Sequence, residues 1–256
     1  MEGIANDPDE ENRDIDAPLV TDVTDEEVET RKTIRSAMGI LSKNIWFDYK
    51  KAKEIIREFE IAYIKACRYF ENPQTSTDIR PISLFLTGDI NTGKTSLVVK
   101  YNNLCQQLAK IEGKIYSKWE IIVKDTPVKA TAEQMFLTLL DTLGVQVQYD
   151  NHSKPHLDVL IGLLIKELRK KEVKMLFLDD IQDINKDPAQ REYILTGLRK
   201  ISNLSQTRLV LVGTPEAIEI FQDANWVDER FKPLVLPAWD YSKEYLDMLY
   251  TTNFFY

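Results

Sequence analysis

Apolar residues recur along this chain in two rhythms. From Asp25 to about Phe70, Val28, Ile34, Met38 and Leu41, then Ile55, Ile56, Phe59, Tyr63, Ile64 and Cys67, fall at helix-like intervals with Lys and Glu between them. This spacing predicts an N-terminal group of helices. After the polar stretch Pro73 to Pro81 the rhythm changes to short apolar runs, and Ile82 to Thr87, Glu120 to Val123, Lys174 to Asp180 and Leu209 to Val212 read as buried strands. Leu234 to Leu236 reads as a last strand. Helical patterns fill the intervals: Lys94 to about Ala109, a capping box of Thr131 and Gln134 opening a helix to about Leu143, and Leu157 to Lys171. Asp187 with Pro188 starts a helix to about Leu204, and Pro215 starts another in the same manner. Strands alternating with helices imply a parallel sheet covered on both faces.

With 256 residues, 43% of them hydrophobic, the chain can bury one sizeable α/β core. No apolar run approaches the ~20 residues of a membrane span, and the acidic N-terminus does not resemble a secretion signal. A cytoplasmic, membrane-free protein is expected. Residues 1–30 hold twelve Asp and Glu against Arg13, a balance of −11, so of the total of −8 the remainder 31–256 carries +3. The acidic opening reads as a solvated tail, the alternative being a competitor with nucleic acid for a basic surface. Cys67 and Cys105 lie in helical patterns without ligand-spaced histidines and read as buried thiols; His152 and His156 read as loop residues.

The strongest local signal follows the first strand. Gly88-Asp89-Ile90-Asn91-Thr92-Gly93-Lys94-Thr95 matches the phosphate-binding loop G-x(4)-G-K-[ST] in full, and with Ser96 these residues form the expected nucleotide-binding set. Gly88 and Gly93 let the backbone curl so that its N–H groups face the β- and γ-phosphates of ATP. Lys94 adds a charge, Thr95 offers a hydroxyl to Mg²⁺, and the helix N-terminus adds its partial positive charge. A nucleotide hydrolase also needs an acid on a second strand, and Asp179-Asp180 supplies it: Asp179 for the magnesium shell, Asp180 to polarise the attacking water. Thr214 is placed either to sense the γ-phosphate or to cap the helix at Pro215. Arg230 is either a surface ion-pair partner of Asp228 or Glu229, or an arginine finger reaching a neighbouring subunit's nucleotide.

The segments Gln190 to Gln206, Leu209-Val-Leu-Val-Gly-Thr-Pro-Glu-Ala217, Glu229-Arg-Phe231 and Leu236-Pro-Ala-Trp239 resemble the TniB/TnsC group of transposition regulators. The resemblance covers roughly residues 75–240 and implies a P-loop NTPase of AAA+ type that binds ATP and Mg²⁺. It implies a homo-oligomer, a ring or helical filament on duplex DNA, that presents target DNA to a transposase. Hydrolysis then promotes disassembly. It further implies a target-selector partner, TniQ-like or a guide-RNA complex, and a bacterial cytoplasmic setting. The phosphate loop, Asp179 and Asp180, Thr214 as sensor and Arg230 as finger carry over by position. Lys129 matches a basic DNA-contact position, with Gln148 and Lys124 as further DNA contacts. Relatives place Glu where this chain has Asp180, a side chain one methylene longer, which predicts slow hydrolysis. After Trp239 only seventeen residues remain, predicting little or no C-terminal helical lid.

The organisation expected is therefore an acidic tail at 1–30, a helical extension at 31–74, an AAA+ core at 75–240 and a short aromatic segment at 241–256. An ATP-gated DNA scaffold with little hydrolysis, or a helicase-loader-like AAA+ protein, are the alternatives.

Overall fold

Five apolar runs become five parallel strands: β1 Ser83–Thr87, β2 Ile121–Asp125, β3 Met175–Asp179, β4 Arg208–Gly213 and β5 Phe231–Val235, in the order β2-β3-β4-β1-β5. The computed structural model describes residues 49–71, 83–148, 155–184, 187–218, 231–243 and 245–246. All lie within the compact unit Asp48–Asp247. The acidic opening, the helical pattern from Val28 to Leu41, His152 and Arg230 lie outside the described residues. β1, β3 and β4 are buried along their whole length, which is why they read as unbroken apolar runs. β5 differs. It lies at the sheet edge, pairs Phe85 with Pro233, and buries only Phe231 and Leu234, so it starts three residues earlier than its apolar run suggests.

Among the described residues the long helices are α1 Lys50–Glu71, α2 Lys94–Ile111, α3 Ala132–Thr142, α4 Leu157–Lys170 and α5 Pro188–Ser205. Alternation along β3 sorts them. Leu176 and Leu178 join the core formed with α3, α4 and α5, whereas Phe177 meets Phe59 of α1, with ring centroids 5.3 Å apart, and Tyr101 of α2. α1 buries Ala52, Ile55, Phe59, Ala62 and Ala66, and burying Ile55 and Phe59 contributes about 2–3 kcal/mol each. Sequence alone puts α1 in the extension; its apolar face makes it part of the same compact unit as the sheet. The Tyr49 and Trp239 rings meet in a tilted arrangement with centroids 4.3 Å apart, so the chain just before the aromatic C-terminal segment packs against the residue preceding α1. Cys105 is buried and Cys67 half-buried, both free, and burial pushes the Cys105 thiol up to about 11.

The capping box forms as its residues predict. Thr131 Oγ1 accepts from Gln134 N at 3.3 Å, Gln134 Oε1 accepts from Thr131 N at 2.9 Å, and Gln190 of α5 accepts from Ala132 N. Thr131→Ala is expected to cost about 1 kcal/mol and lower Tm by about 2–4 °C, measured by thermal denaturation. One buried group works against stability. Arg208 is 3% exposed, its Nη1 has no hydrogen-bond partner among the described residues, and desolvation pulls its pKa down to about 10. Arg208→Met keeps the volume and removes a buried charge with an unpartnered Nη1, so Tm is expected to rise by about 2–4 °C rather than fall.

Candidate nucleotide site

The loop from Gly88 to Gly93 leaves the C-terminal end of β1, where ligands of open parallel sheets bind. Its shape depends on particular residues. A Cβ at Gly88 would lie 2.2 Å from the carbonyl oxygen of Leu236, and that carbonyl cannot retreat because Leu236 N donates to Thr87 O at 2.7 Å. Asn91 and Gly93 take left-handed backbone conformations with φ of 64° and 92°, which turn the chain sharply into α2. Thr92 Oγ1 donates to Asp89 O at 2.9 Å and ties the turn together.

Lys94 closes the loop from inside. It is 9% exposed, and its Nζ donates to the carbonyls of Gly88 at 2.8 Å and Asp89 at 2.7 Å. Burial pulls its pKa below the ordinary lysine value, while Asp179, Asp180, Asp89 and Glu216 push it back up. An ammonium under that strain gains from anionic oxygen. On the far strand, Asp179 is 2% exposed and accepts from Thr95 Oγ1 at 2.6 Å through Oδ2, and from Asp180 N at 2.9 Å through Oδ1. Desolvation holds its carboxyl above the usual range, opposed by these two hydrogen bonds. A hydroxyl and a buried carboxylate side by side are hard oxygen donors of the kind Mg²⁺ takes with phosphate oxygens, so the residues fit the ion.

Asp180 follows with φ of 52° and heads a single 3-10 turn, Ile181–Asp183. Thr214 follows β4, which lies between β1 and β3, so its position bridges the phosphate loop and Asp179. Thr214 lines the cleft, and its backbone carbonyl accepts from Ala217 N at the start of a helical turn. That cleft encloses about 660 Å³ between Ile90, Asn91 and Gly93 to Ser96 on one side and Asp180, Gln182, Thr214 and Glu216 on the other. A larger hollow of about 890 Å³ between α3, α4 and α5 holds none of the predicted nucleotide residues.

Two cleft residues, Gln182 and Glu216, escape sequence reasoning. The Thr214 hydroxyl bonds the Glu216 carboxylate and lowers its pKa. Nothing in the residue pattern marks either, apart from their places two residues after Asp180 and after Thr214.

The expected DNA contacts lie on β2 and beyond it. Lys129 is exposed, with φ of 51°, in a loop docked on the acid-bearing segment: Thr126 N donates to Asp179 O at 2.8 Å and Lys129 N to Asp183 O at 3.0 Å. Lys124, on β2, is half-buried. Gln148 is exposed past the far end of α3, after Val145 and Val147, which pack on the core. α3 thus separates it in sequence from Lys129.

The chain matches the model of the family described as Bacterial TniB protein over residues 37–241. The chain belongs to the TniB family. Its fold is that of AAA+ P-loop ATPases. It is similar to the Aeropyrum pernix ORC1 protein, solved in complex with DNA, with a TM-score of 0.58 and 17% identity over 81% of this chain and 50% of that one. It is also similar to the Aeropyrum pernix ORC2 protein, solved as ADPNP–ADP complexes, with a TM-score of 0.52 and 15% identity over 77% of this chain and 50% of that one. The chain thus spans about half the length of these relatives. No curated protein matches it. No helix among the described residues is long and apolar enough to cross a membrane.

Proposed function

We propose that this TniB-family chain is an ATP-dependent, DNA-binding regulator of transposition that assembles on duplex DNA and recruits or activates a transposase there. The observation that carries the nucleotide part is the pairing of Thr95 with Asp179 at 2.6 Å beside the buried Lys94. Lys94 and the loop N–H groups bind the triphosphate, and Thr95 and Asp179 hold Mg²⁺, which neutralises charge on the phosphates. Asp180 orients the attacking water, Thr214 touches the γ-phosphate from the β4 tip, and Arg230 completes the site of a neighbouring copy.

Lys129 contacts the DNA backbone, helped by Lys124 and Gln148. One phosphate contact per subunit, repeated along an assembly, gives salt-sensitive affinity without sequence readout. Lys129→Glu is expected to weaken duplex binding roughly tenfold or more at low salt and to flatten the salt dependence, read by fluorescence anisotropy across a salt series.

A second reading has support in the short Asp180 carboxylate: a nucleotide-gated scaffold with weak turnover. Phosphate release with and without duplex DNA and transposase separates the two. DNA-stimulated turnover is expected; its absence from every mixture leaves the scaffold reading.

A further inference from the structure

We infer that Gln182 is a positioning residue: its amide ties the Asp180 carboxylate to the tip of β4, so that the orientation of Asp180 and the phosphate state sensed at Thr214 change together. This deepens the proposed ATPase reading and rests on Asp180 as the water-orienting acid. Gln182 Nε2 donates to Asp180 Oδ1 at 2.9 Å, and Gln182 Oε1 accepts from Thr214 N at 3.2 Å. The amide orientation follows from its partners. Thr214 N–H can only donate, so it must face the amide oxygen, which turns the NH₂ group to the carboxylate.

The backbone makes room for this bridge. A Cβ on Gly213 would lie 2.9 Å from Gln182 Oε1 and 2.8 Å from Ile181 Cγ2, so a larger residue at the end of β4 would push the amide away. The turn bearing Gln182 is itself fixed. Ile181 is fully buried, Asp183 N donates to Asp180 O at 2.9 Å, and Ile184 N donates to Ile181 O at 3.2 Å. From the other side Lys129 N donates to Asp183 O, so the loop proposed to meet DNA grips the same turn. Asp180 is exposed, and a short carboxylate in open solvent samples several rotamers unless something holds it. Gln182 restricts it to the cleft side, and does so from a strand tip adjoining the phosphate loop, since Gly88 N donates to Gly213 O at 3.3 Å.

A residue acting only through Asp180 leaves a particular signature. In a double-mutant cycle on the full chain with duplex DNA, Gln182→Ala is expected to lower kcat roughly tenfold or more with KM for ATP changed by less than about threefold. In an Asp180→Ala background the same substitution is expected to change kcat by less than about twofold. Equal losses in both backgrounds, or a loss confined to KM, would overturn the proposal. Affinity for an ATP analogue over ADP gives a readout independent of turnover. Gln182→Ala is expected to erode that preference about fivefold or more, because the Thr214 N–H loses its partner. If wild-type protein binds nucleotide without turnover, the hydrolysis reading fails, while an unchanged preference in Gln182→Ala separately overturns the tie.

Discussion

Lys94→Ala is expected to weaken ATP binding by about a hundredfold and to take hydrolysis below detection. The ammonium now satisfies the Gly88 and Asp89 carbonyls at 2.8 and 2.7 Å in a setting that already lowers its pKa. Bound triphosphate offers the same donor charged oxygens, and charge-assisted hydrogen bonds are worth about 1.5–3 kcal/mol each, so losing them costs about two orders of magnitude. The loop retains the Thr92 to Asp89 bond and the Leu97 N to Gly93 O bond, so the fold is expected to survive. Isothermal titration with an ATP analogue, alongside a melting curve, measures both. Affinity within threefold of wild type would mean that the phosphates sit elsewhere.

The second large effect concerns shape. Gly88→Ala is expected to destabilise the protein by about 3 kcal/mol and to abolish nucleotide binding in whatever fraction remains folded. Its methyl would meet the Leu236 carbonyl at 2.2 Å and Thr92 Oγ1 at 3.0 Å, and relief requires parting β1 from the chain after β5 or reshaping the loop. Gly113 is the contrast. Its φ is 67° but a Cβ there meets nothing within 4 Å, so Gly113→Ala is expected to cost only about 1 kcal/mol of backbone strain with nucleotide affinity unchanged. Chemical denaturation of the two variants, followed by titration, checks the pair.

Much of the fold was legible because each element carries its own signal. β3 and β4 are buried on both faces and so read as apolar runs, and Thr131 with Gln134 and Asp187 with Pro188 mark helix starts by local hydrogen bonding. β5 was misplaced by a few residues because Lys232 and Pro233 hide an edge strand whose pairing with β1 is a long-range fact. The phosphate loop and Asp179 were legible from motif spacing, and the structure brings Thr95 and Asp179 into contact across 84 positions of sequence. Gln182 and Glu216 were not, because their meaning lies in which partners the turn and strand tip present to them. The docking of α1 was hidden for the same reason: its amphipathic pattern shows a buried face without saying what covers it.

ATP bound at Lys94, Thr95 and Asp179 is expected to govern assembly on DNA. Electron microscopy of the full chain with a non-hydrolysable ATP analogue, duplex DNA, both or neither tests it directly. Ordered rings or filaments on DNA only when both are present, and none with Lys94→Ala, is the predicted result; single particles in every mixture, or assembly indifferent to nucleotide, would contradict it.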